Sequence, residues 1–256
     1  MKDSVKIPRV IPVLLFHKGG LYKTVKFKNP VYIGDPINAI KVFNDKEVDE
    51  LILLDIDATR NKTEPNYSLI SNIASECFMP VCYGGGIKNT NQIKKILRLG
   101  IEKIAINSQA VTDPGFVKSA SEQFGSSTII VSIDYKKDIL GIPRVYIQNG
   151  NVKTKYKPLE LSLLLQDKGA GELLLNSIDR DGIMTGYDLN LINAVARSLQ
   201  IPVIACGGAG RIEHFSEAIQ NQASAVAAGS MFVFYGAHKA VLINYPFIED
   251  LKKIFY

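Results

Sequence analysis

The chain has 256 residues, of which 46% are hydrophobic and 21% charged, a balance that is ordinary for a globular protein and excludes an intrinsically disordered one. No apolar run reaches the roughly 18 residues needed to cross a bilayer, and the first ten residues lack the apolar segment of a signal peptide, so we expect a cytoplasmic protein without membrane contact. The net charge of +5 comes from scattered lysines, which fits an anionic small molecule and gives no indication of nucleic-acid binding.

The first half of the chain alternates predicted strands and helices after one long first loop, at residues 19–28, that has some extended character. The elements are strand 10–16, helix 36–46, strand 50–56, helix 66–76, a strand at Val81, helix 90–99, strand 103–106 and helix 114–124. Asp35 and Asp113 each stand before a proline, which is typical of a helix N-cap followed by proline in the first turn.

The second half continues the alternation and adds one predicted hairpin at residues 144–156, where Asn149-Gly150 is typical of a type I′ turn. The other elements are strand 128–133, helix 159–168, strand 173–177, helix 189–199, two strands joined by a helix within 201–230, and helix 247–254. Eight strands that alternate with helices predict a single α/β domain, a (β/α)8 TIM barrel, rather than an open sheet.

An internal repeat with a constant offset of 122 residues supports this fold. Residues 79–108 align without a gap on residues 201–230, so that Gly85 meets Gly207. Upstream, ELILLDID from Glu50 aligns on ELLLNSID from Glu172 at the same offset. We interpret the chain, residues 1–256, as one barrel made of two half-barrel repeats, approximately 1–124 and 125–256.

Two predicted strands each end in a glycine turn. In both cases the next predicted strand along the chain ends in a small polar residue. The residues are Gly85, Gly86, Asn107 and Ser108 in the first repeat, and Gly207, Gly208, Gly229 and Ser230 in the second. Barrel ligands bind at the carboxyl ends of the strands, and backbone N–H groups at glycine turns suit phosphate. With carboxylates between them at Asp55, Asp57, Asp134, Asp179 and Asp181, the two turns predict a pocket for a long ligand with a phosphate at each end.

Cysteines and histidines give weaker signals. Cys77, Cys82 and Cys206 form no C-x-x-C pair, and the last two fall in predicted buried strands, so we expect packing residues rather than a disulfide or zinc site. His17 could face the pocket, although a loop histidine is more often a surface residue. His214 and His238 have no partner at metal-ligand spacing. We therefore predict no metal and no cofactor.

Several segments together resemble the cyclase subunit of imidazole glycerol phosphate synthase, the HisF family, nearly from end to end. They include RVIPVLL, YGGGIKNTNQIKKILRLGIEKIAINSQAV, IPVIACGGAGRIEHF and the specific motif DRDG-x-x-x-GYD at Asp179 to Asp188. The resemblance implies a lyase of histidine biosynthesis with a (β/α)8 barrel that binds a bisphosphate nucleotide. It also implies a glutaminase partner at the bottom of the barrel that supplies the ammonia for imidazole ring formation.

Carried over by position, the resemblance implies that Lys23 contacts the substrate and that Asp134 is one of two catalytic aspartates. The glycine, asparagine and serine residues named above would hold the phosphates, and Asp179 and Asp181 would contact the ligand. The second catalytic aspartate should end strand 1, but Leu15 stands there and cannot transfer a proton. Asp57 and Ile183 also depart from the family, which usually has a hydroxyl residue and a threonine at these positions.

Four charged residues open predicted strands and match the ring that closes the barrel bottom in this family, where ammonia enters: Arg9, Glu50, Lys103 and Glu172. Two cations and two carboxylates that converge on one axis can neutralise one another where a single charge would be costly. The alternative is that they are solvated charges at the starts of strands.

A retained ammonia gate without the strand-1 aspartate favours an ammonia-using subunit whose cyclase activity is weak. Its expected partners are a HisH-like glutaminase, forming a heterodimer, and a phosphorylated small molecule. A separate enzyme that amidates a surface-sugar nucleotide is a further expected partner, as in some HisF-like proteins of surface polysaccharide biosynthesis. Two alternatives stay open: an authentic cyclase in which Asp57 or His17 replaces the missing aspartate, and a nonenzymatic scaffold that activates a glutaminase. A HisA-like isomerase is disfavoured, because it also needs the strand-1 aspartate.

Overall fold

The computed structural model describes residues 7–236 and 238–256. The strands are β1 Arg9–His17, β2 Gly20–Val25, β3 Lys28–Gly34, β4 Leu51–Asp55, β5 Val81–Gly84, β6 Lys103–Ile106, β7 Ile129–Lys137, β8 Pro143–Ile147, β9 Val152–Lys153, β10 Glu172–Ser177, β11 Val203–Cys206, β12 Ala225–Ala228, β13 Phe234–Tyr235 and β14 Ala240–Val241.

The helices pack around the strands and are all short. They are α1 Pro36–Asp45, α2 Ala58–Asn61, α3 Tyr67–Glu76, α4 Thr90–Arg98, α5 Ser108–Thr112, α6 Pro114–Phe124, α7 Pro158–Asp167, α8 Leu189–Ala196, α9 Glu213–Gln220 and α10 Ile248–Phe255. Asp35 and Asp113 cap α1 and α6 as predicted, since their carboxylates accept from Asn38 N and Gly115 N, both at 3.0 Å. Within the described ranges, no helix has the length and apolar character needed to span a membrane.

Eight parallel strands close into a barrel, which confirms the predicted fold. Neighbours around the barrel are β1, β4, β5, β6, β7, β10, β11 and β12, and β12 pairs back with β1. Leu14 pairs with Leu53, and Ile11 pairs with Ala227, so the register defines the height of each strand along the barrel axis. This height decides which side chains meet inside the barrel.

Side-chain alternation along each strand separates two cores. On β1, Val10, Leu14 and Phe16 pack outward against the helices, whereas Ile11 and Val13 belong to a smaller cluster inside the barrel. The interior cluster also contains several small side chains: Cys82, Ala105, Cys206, Ala225 and Ala227. The buried positions of Cys82 and Cys206 agree with the packing role expected from the sequence, and the described residues contain only free cysteines.

Each half of the barrel begins with a strand that continues into an antiparallel hairpin. After β1, the predicted loop at 19–28 is instead the hairpin β2–β3, which turns at Lys26 and Phe27 with φ of 52° and 61°. After β7, which runs to Lys137 and not only to the predicted residue 133, the chain forms β8 and β9. The sequence missed the first hairpin because its turn contains no glycine or asparagine.

The predicted hairpin at Asn149-Gly150 is present, within a four-residue loop between Ile147 and Val152. Asn149 and Gly150 have φ of 56° and 76°, and Asn151 N donates to Gln148 O at 3.3 Å, as in a type I′ turn. Asn149 Nδ2 also donates to Ile56 O at 2.6 Å, so the tip of this hairpin is tied to the end of β4. The hairpin therefore covers part of the carboxyl face of the barrel.

Candidate functional site

A cavity of about 320 Å³ opens at the carboxyl ends of the barrel strands, where the fold predicts a ligand site. We call it the central cavity. It brings together most of the ligand-site residues predicted from the sequence: Lys23, Gly85, Gly86, Asn107, Ser108, Asp134, Asp181, Gly207, Gly208, Gly229 and Ser230. Asp179 lies outside this lining, and its carboxylate accepts from Lys137 N at 2.8 Å.

The glycine turns after β5 and β11 require glycine. Gly85 has a φ of 125°, and a Cβ there would overlap the backbone of Asp55. Gly207 has a φ of 83°, and its Cβ would lie 2.6 Å from Ser177 O. Both turns line the cavity with glycine backbone, which suits an oxyanion, and Gly86 N donates to Thr59 Oγ1 at 3.3 Å within this turn.

The polar residues one strand further on differ between the two halves. Ser108 Oγ donates to Asn107 Oδ1 at 3.2 Å and accepts from Gln148 N at 3.1 Å, so the β8–β9 hairpin closes this side of the cavity. Ser230 is buried beside Gly229. A phosphate on the Ser108 side would therefore lie under the hairpin.

Asp134 is buried on β7 between two amide side chains. Its Oδ1 accepts from Asn176 Nδ2 at 3.1 Å and its Oδ2 from Asn107 Nδ2 at 3.2 Å. Burial raises the pKa of Asp134 to about 7, since it outweighs the lowering effect of the Asn176 hydrogen bond. A carboxyl group that titrates near neutral pH can accept and return a proton at a ligand in this cavity.

Lys23 reaches from β2 into the cavity and is buried. Its Nζ donates to Val13 O and lies against Gly229. Burial lowers the pKa of Lys23 to about 8, although the nearby Asp181 opposes this shift. Burial likewise raises the pKa of Asp181, whose Oδ2 accepts from Thr24 Oγ1 at 3.0 Å. The β2–β3 hairpin thus places one cation within a cavity whose lining also contains three carboxyl groups, those of Asp55, Asp134 and Asp181.

Leu15 lines the cavity from β1, at the position where the family resemblance implies a catalytic aspartate. It is paired in register with Leu54 on β4, so this wall of the cavity is apolar. The opposite wall, formed by β7 and β10, holds Asp134 and Asn176. At the end of β4 the lining also includes Asp55, whose Oδ1 accepts from Asp57 N at 2.9 Å and from Ala58 N at 3.0 Å.

His17 and Asp57 pair with each other beside the central cavity. His17 Nδ1 lies 2.7 Å from Asp57 Oδ1, and Lys18 N donates to Asp57 Oδ2 at 2.8 Å. His17 is 7% exposed, so the expectation that it is a surface residue was wrong. It ends β1 and packs edge-on against Tyr22, with ring centroids 4.8 Å apart. Neither His17 nor Asp57 lines the central cavity.

At the opposite end of the barrel, four charges form a closed cycle that we call the ion-pair ring: Arg9, Glu50, Lys103 and Glu172. Arg9 donates to both glutamates, and Lys103 Nζ lies 3.0 Å from Glu50 Oε2 and 3.2 Å from Glu172 Oε2. Burial lowers the pKa of Lys103, but Glu172 and Glu50 more than offset this, so the pKa is raised. These residues are not solvated strand starts, because both glutamates are buried.

Asn176 is a site residue that sequence reasoning missed. It is buried, it holds Asp134, and its Oδ1 has no hydrogen-bond partner within residues 7–236 and 238–256. Alternation along β10 from Glu172 through Leu174 places Asn176 inside the barrel. The alternation was the signal that could have found it.

Metal binding has no support in the described part of the chain, where no three His, Cys, Asp or Glu side chains form a group that could hold an ion. His214 is buried, with Gly210 N 3.1 Å from its Nδ1 and Arg211 Nε 3.0 Å from its Nε2; since a neutral imidazole has one acceptor nitrogen, it accepts only one of these hydrogen bonds at a time. It therefore stabilises the glycine turn before α9.

Comparison with known proteins gives a consistent result over most of the chain. Residues 9–239 match the histidine biosynthesis protein family. A Pseudomonas aeruginosa protein, provisionally named imidazole glycerol phosphate synthase subunit hisF2, is 52% identical over 244 residues, or 95% of this chain and 97% of that protein. A Leptospira interrogans protein, provisionally named subunit HisF of the same synthase, is 48% identical over 251 residues, or 97% and 99%. Imidazole glycerol phosphate synthase subunit HisF of Endomicrobium trichonymphae is 41% identical over 224 residues, or 88% and 86%.

Proposed function

Because this chain belongs to the histidine biosynthesis protein family and is HisF-like within it, we propose that it is the ammonia-using synthase subunit of a glutamine-dependent amidotransferase. It receives ammonia from a HisH-like glutaminase at the ion-pair ring and binds a bisphosphate ligand in the central cavity. Its own cyclase turnover is weak. The observation that carries this proposal is the combination of a complete ion-pair ring with Leu15 opposite Asp134.

The central cavity supports the ligand class. Glycine turns on two sides of one cavity offer backbone for two separate anions, and Lys23 adds a positive charge beside Gly229. A long ligand with a phosphate at each end satisfies both sides. The cavity volume of about 320 Å³ is within the range of small-molecule sites.

The ion-pair ring supports the route of ammonia. Buried carboxylates are retained at a cost in desolvation free energy, so their presence at the entrance of the barrel interior calls for a function other than stability. Ammonia is small and uncharged in its reactive form, and the interior cluster that it would cross combines small side chains such as Cys82 and Ala105 with larger ones such as Ile52.

The chemistry of the cavity supports weak cyclisation. Asp134 can exchange a proton at neutral pH, but Leu15 offers no partner for a second proton transfer, and a missing acid or base typically lowers a rate by about 10²–10⁴. We propose that the ammonia is passed to a separate enzyme that amidates a surface-sugar nucleotide.

The alternative of a fully active histidine-pathway cyclase requires a substitute for the strand-1 aspartate. Asp57 is held by His17 and Lys18 N, and neither Asp57 nor His17 faces the central cavity. This arrangement argues against Asp57 or His17 as the substitute for the strand-1 aspartate. Because the chain is 41% identical to the Endomicrobium HisF, the cyclase assay also tests this alternative.

The test is a pair of assays on the purified chain. We expect cyclase activity with ammonium and the bisphosphate nucleotide substrate of imidazole glycerol phosphate synthase to be at least about 100-fold below that of an authentic HisF assayed in parallel. We also expect the chain to increase glutamine hydrolysis by its glutaminase when the two are mixed. Cyclase activity equal to that of the authentic HisF would overturn the proposal, as would the absence of any effect on the glutaminase.

A further inference from the structure

The side-chain oxygen of Asn176 is a hydrogen-bond acceptor that the proposed function does not yet use. The amide Nδ2 donates to Asp134 Oδ1 at 3.1 Å, and because an ionised carboxylate only accepts, this contact fixes the orientation of the amide. The Oδ1 atom is buried and has no hydrogen-bond partner anywhere in the described part of the chain. A buried carbonyl oxygen without a donor is costly, so this oxygen suits a donor group on a ligand.

The free oxygen faces the second glycine turn of the central cavity. A Cβ atom at Gly207 would lie 2.8 Å from Asn176 Oδ1, and both residues line the cavity. A side chain at position 207 would therefore crowd the oxygen, whereas glycine leaves it uncovered. The acceptor faces the cavity although Asn176 as a whole is only 7% exposed.

Asn107, the other amide beside Asp134, provides a contrast within the same site. Its Nδ2 donates to Asp134 Oδ2 at 3.2 Å and to Ser132 O at 2.9 Å, and its Oδ1 accepts from Ser108 Oγ at 3.2 Å. Both the nitrogen and the oxygen of this amide are thus engaged within the protein. Asn107 supports Asp134, whereas Asn176 supports Asp134 and also offers an acceptor to a ligand.

The position of Asn176 along β10 indicates which donor reaches it. Glu172, Leu174 and Asn176 alternate into the barrel, the first in the ion-pair ring and the second in the interior cluster. Asn176 pairs in register with Asp134 on β7, one alternation step above Ser132. The interior cluster between the ring and this height is apolar. A small polar molecule that enters at the ring therefore meets, at this height, a free amide oxygen beside a carboxyl group.

We propose that Asn176 Oδ1 and the Asp134 carboxyl group bind ammonia where the barrel interior opens into the central cavity. Ammonia can donate to both groups, since a carboxylate oxygen that accepts one hydrogen bond has a lone pair for another. This inference rests on the route of ammonia in the proposed function, and it adds the place where ammonia is held beside the phosphorylated ligand. Asn176 is then a binding residue for the nitrogen donor as well as a support for Asp134.

The test observes Asp134 in the purified chain, without the glutaminase and without a nucleotide. The aspartate Cγ atoms are labelled with ¹³C, and the Asp134 signal is identified by its loss in Asp134→Asn. The pH midpoint of this signal is measured in ammonium chloride and in tetramethylammonium chloride at equal ionic strength. Both salts supply a monovalent cation, but only ammonium, the main form of ammonia in neutral water, has N–H donors.

The expected result is a lower midpoint in ammonium. A bound ammonium ion stabilises the ionised carboxylate, so the midpoint should fall from about 7 by at least about 0.3 pH unit, along a saturable curve. Tetramethylammonium should leave the midpoint unchanged, because it has no hydrogen to donate to Asn176 Oδ1.

Matched variants separate ammonia binding from a structural effect on Asp134. Asn176→Leu and Asn107→Leu each remove one hydrogen bond to Asp134, but only Asn176→Leu removes a free acceptor. We expect Asn176→Leu to abolish the difference between the two salts and Asn107→Leu to retain it. Asn176→Ser, which adds no apolar side chain to the interior, should act like Asn176→Leu and replaces it if that variant does not fold.

Three outcomes would overturn the proposal: equal midpoints in the two salts, a difference that Asn176→Leu or Asn176→Ser leaves intact, and a loss of the difference in Asn107→Leu as well. The last outcome would mean that the salts act through the placement of Asp134 alone. Because the experiment involves neither cyclisation nor the glutaminase, its failure would remove only the ammonia site. The cyclase and glutaminase assays decide the proposed function separately.

Discussion

Leu15 and Asp134 line the same cavity from opposite sides of the barrel, because β1 and β7 are separated by four strand steps in either direction. One side chain can transfer a proton and the other cannot. The reaction that this cavity can support therefore depends on this pair more than on any other two residues.

We predict that Leu15→Asp increases ammonium-dependent cyclase activity by about 10-fold or more, because it restores a carboxyl group opposite Asp134. Adding Asp134→Asn should remove the gain. The measurement is the steady-state rate with ammonium as nitrogen donor. Leu54→Asp is the matched control, since it places a carboxylate at the paired position of β4, in the same lining but on another strand. An equal gain from Leu54→Asp would contradict the role assigned to position 15.

A second prediction concerns pH and stability. The pKa of Asp134 in the folded chain is raised to about 7 from the ordinary 3.8, so between these values the folded state binds more protons than the unfolded state. Stability then falls as the pH rises through this window. Asp134→Asn removes this pH dependence, because an amide does not titrate. The variant should therefore gain stability relative to the unmodified chain between pH 5 and pH 8, by up to a few kcal/mol.

Urea unfolding of both proteins at pH 5 and pH 8 provides the measurement. A difference in unfolding free energy that stays constant across this range would show that Asp134 is ionised throughout. Lys23, whose pKa is lowered to about 8, also titrates near the upper end of this range, but it is present in both proteins and its contribution cancels in their difference.

The ion-pair ring yields a third prediction. Glu50→Gln removes a buried carboxylate that contacts both Arg9 and Lys103. We expect the free energy of unfolding to fall by about 1–3 kcal/mol, less than for a fully buried ion pair, because water screens the two partly exposed cations. Glu102→Gln, at the exposed neighbouring position, should change stability by less than about 0.5 kcal/mol. If the ring is an ammonia gate, Glu50→Gln should also lower the share of glutamine-derived ammonia that reaches the product.

A fourth prediction tests the turn after β5. Gly85→Ala should destabilise the chain by about 2–4 kcal/mol, because an alanine at a φ of 125° is strained and its Cβ overlaps the Asp55 backbone. Gly19→Ala is a fair comparison, since Gly19 also has a positive φ, of 82°, but open space around a Cβ. It should cost only about 1 kcal/mol. Equal losses in thermal or urea unfolding would mean that backbone strain alone, and not close approach, requires glycine at position 85.

Crystals grown with sulfate or phosphate test the anion sites directly. We expect density at Gly85-Gly86 beside Ser108, and at Gly207-Gly208 beside Ser230, held mainly by backbone N–H groups. Ser230→Ala should lower occupancy only at the second site, since the two lie on opposite sides of the cavity. Anions bound only to surface lysines would argue against both sites.

The sequence by itself determined the barrel and the positions of most residues of the candidate site. Parallel strands buried on both faces leave long apolar runs, and the repeat at an offset of 122 residues fixed the order of strands and turns. Positions at strand ends are predictable because alternation and strand length place them on one face, as for Gly85, Gly207 and Asp134. The four ring residues were predictable for the same reason at the other strand ends.

Only the tertiary structure decided what the side chains do once they meet. The His17–Asp57 contact joins residues 40 positions apart, and nothing local to either one indicates it. The raised pKa of Asp134 depends on burial by neighbouring strands, and the glycine-free turn at Lys26-Phe27 is held by a contact from Lys26 N to Asp181 O at 2.9 Å. Such properties arise from elements that are distant in sequence, so composition and periodicity carry no record of them.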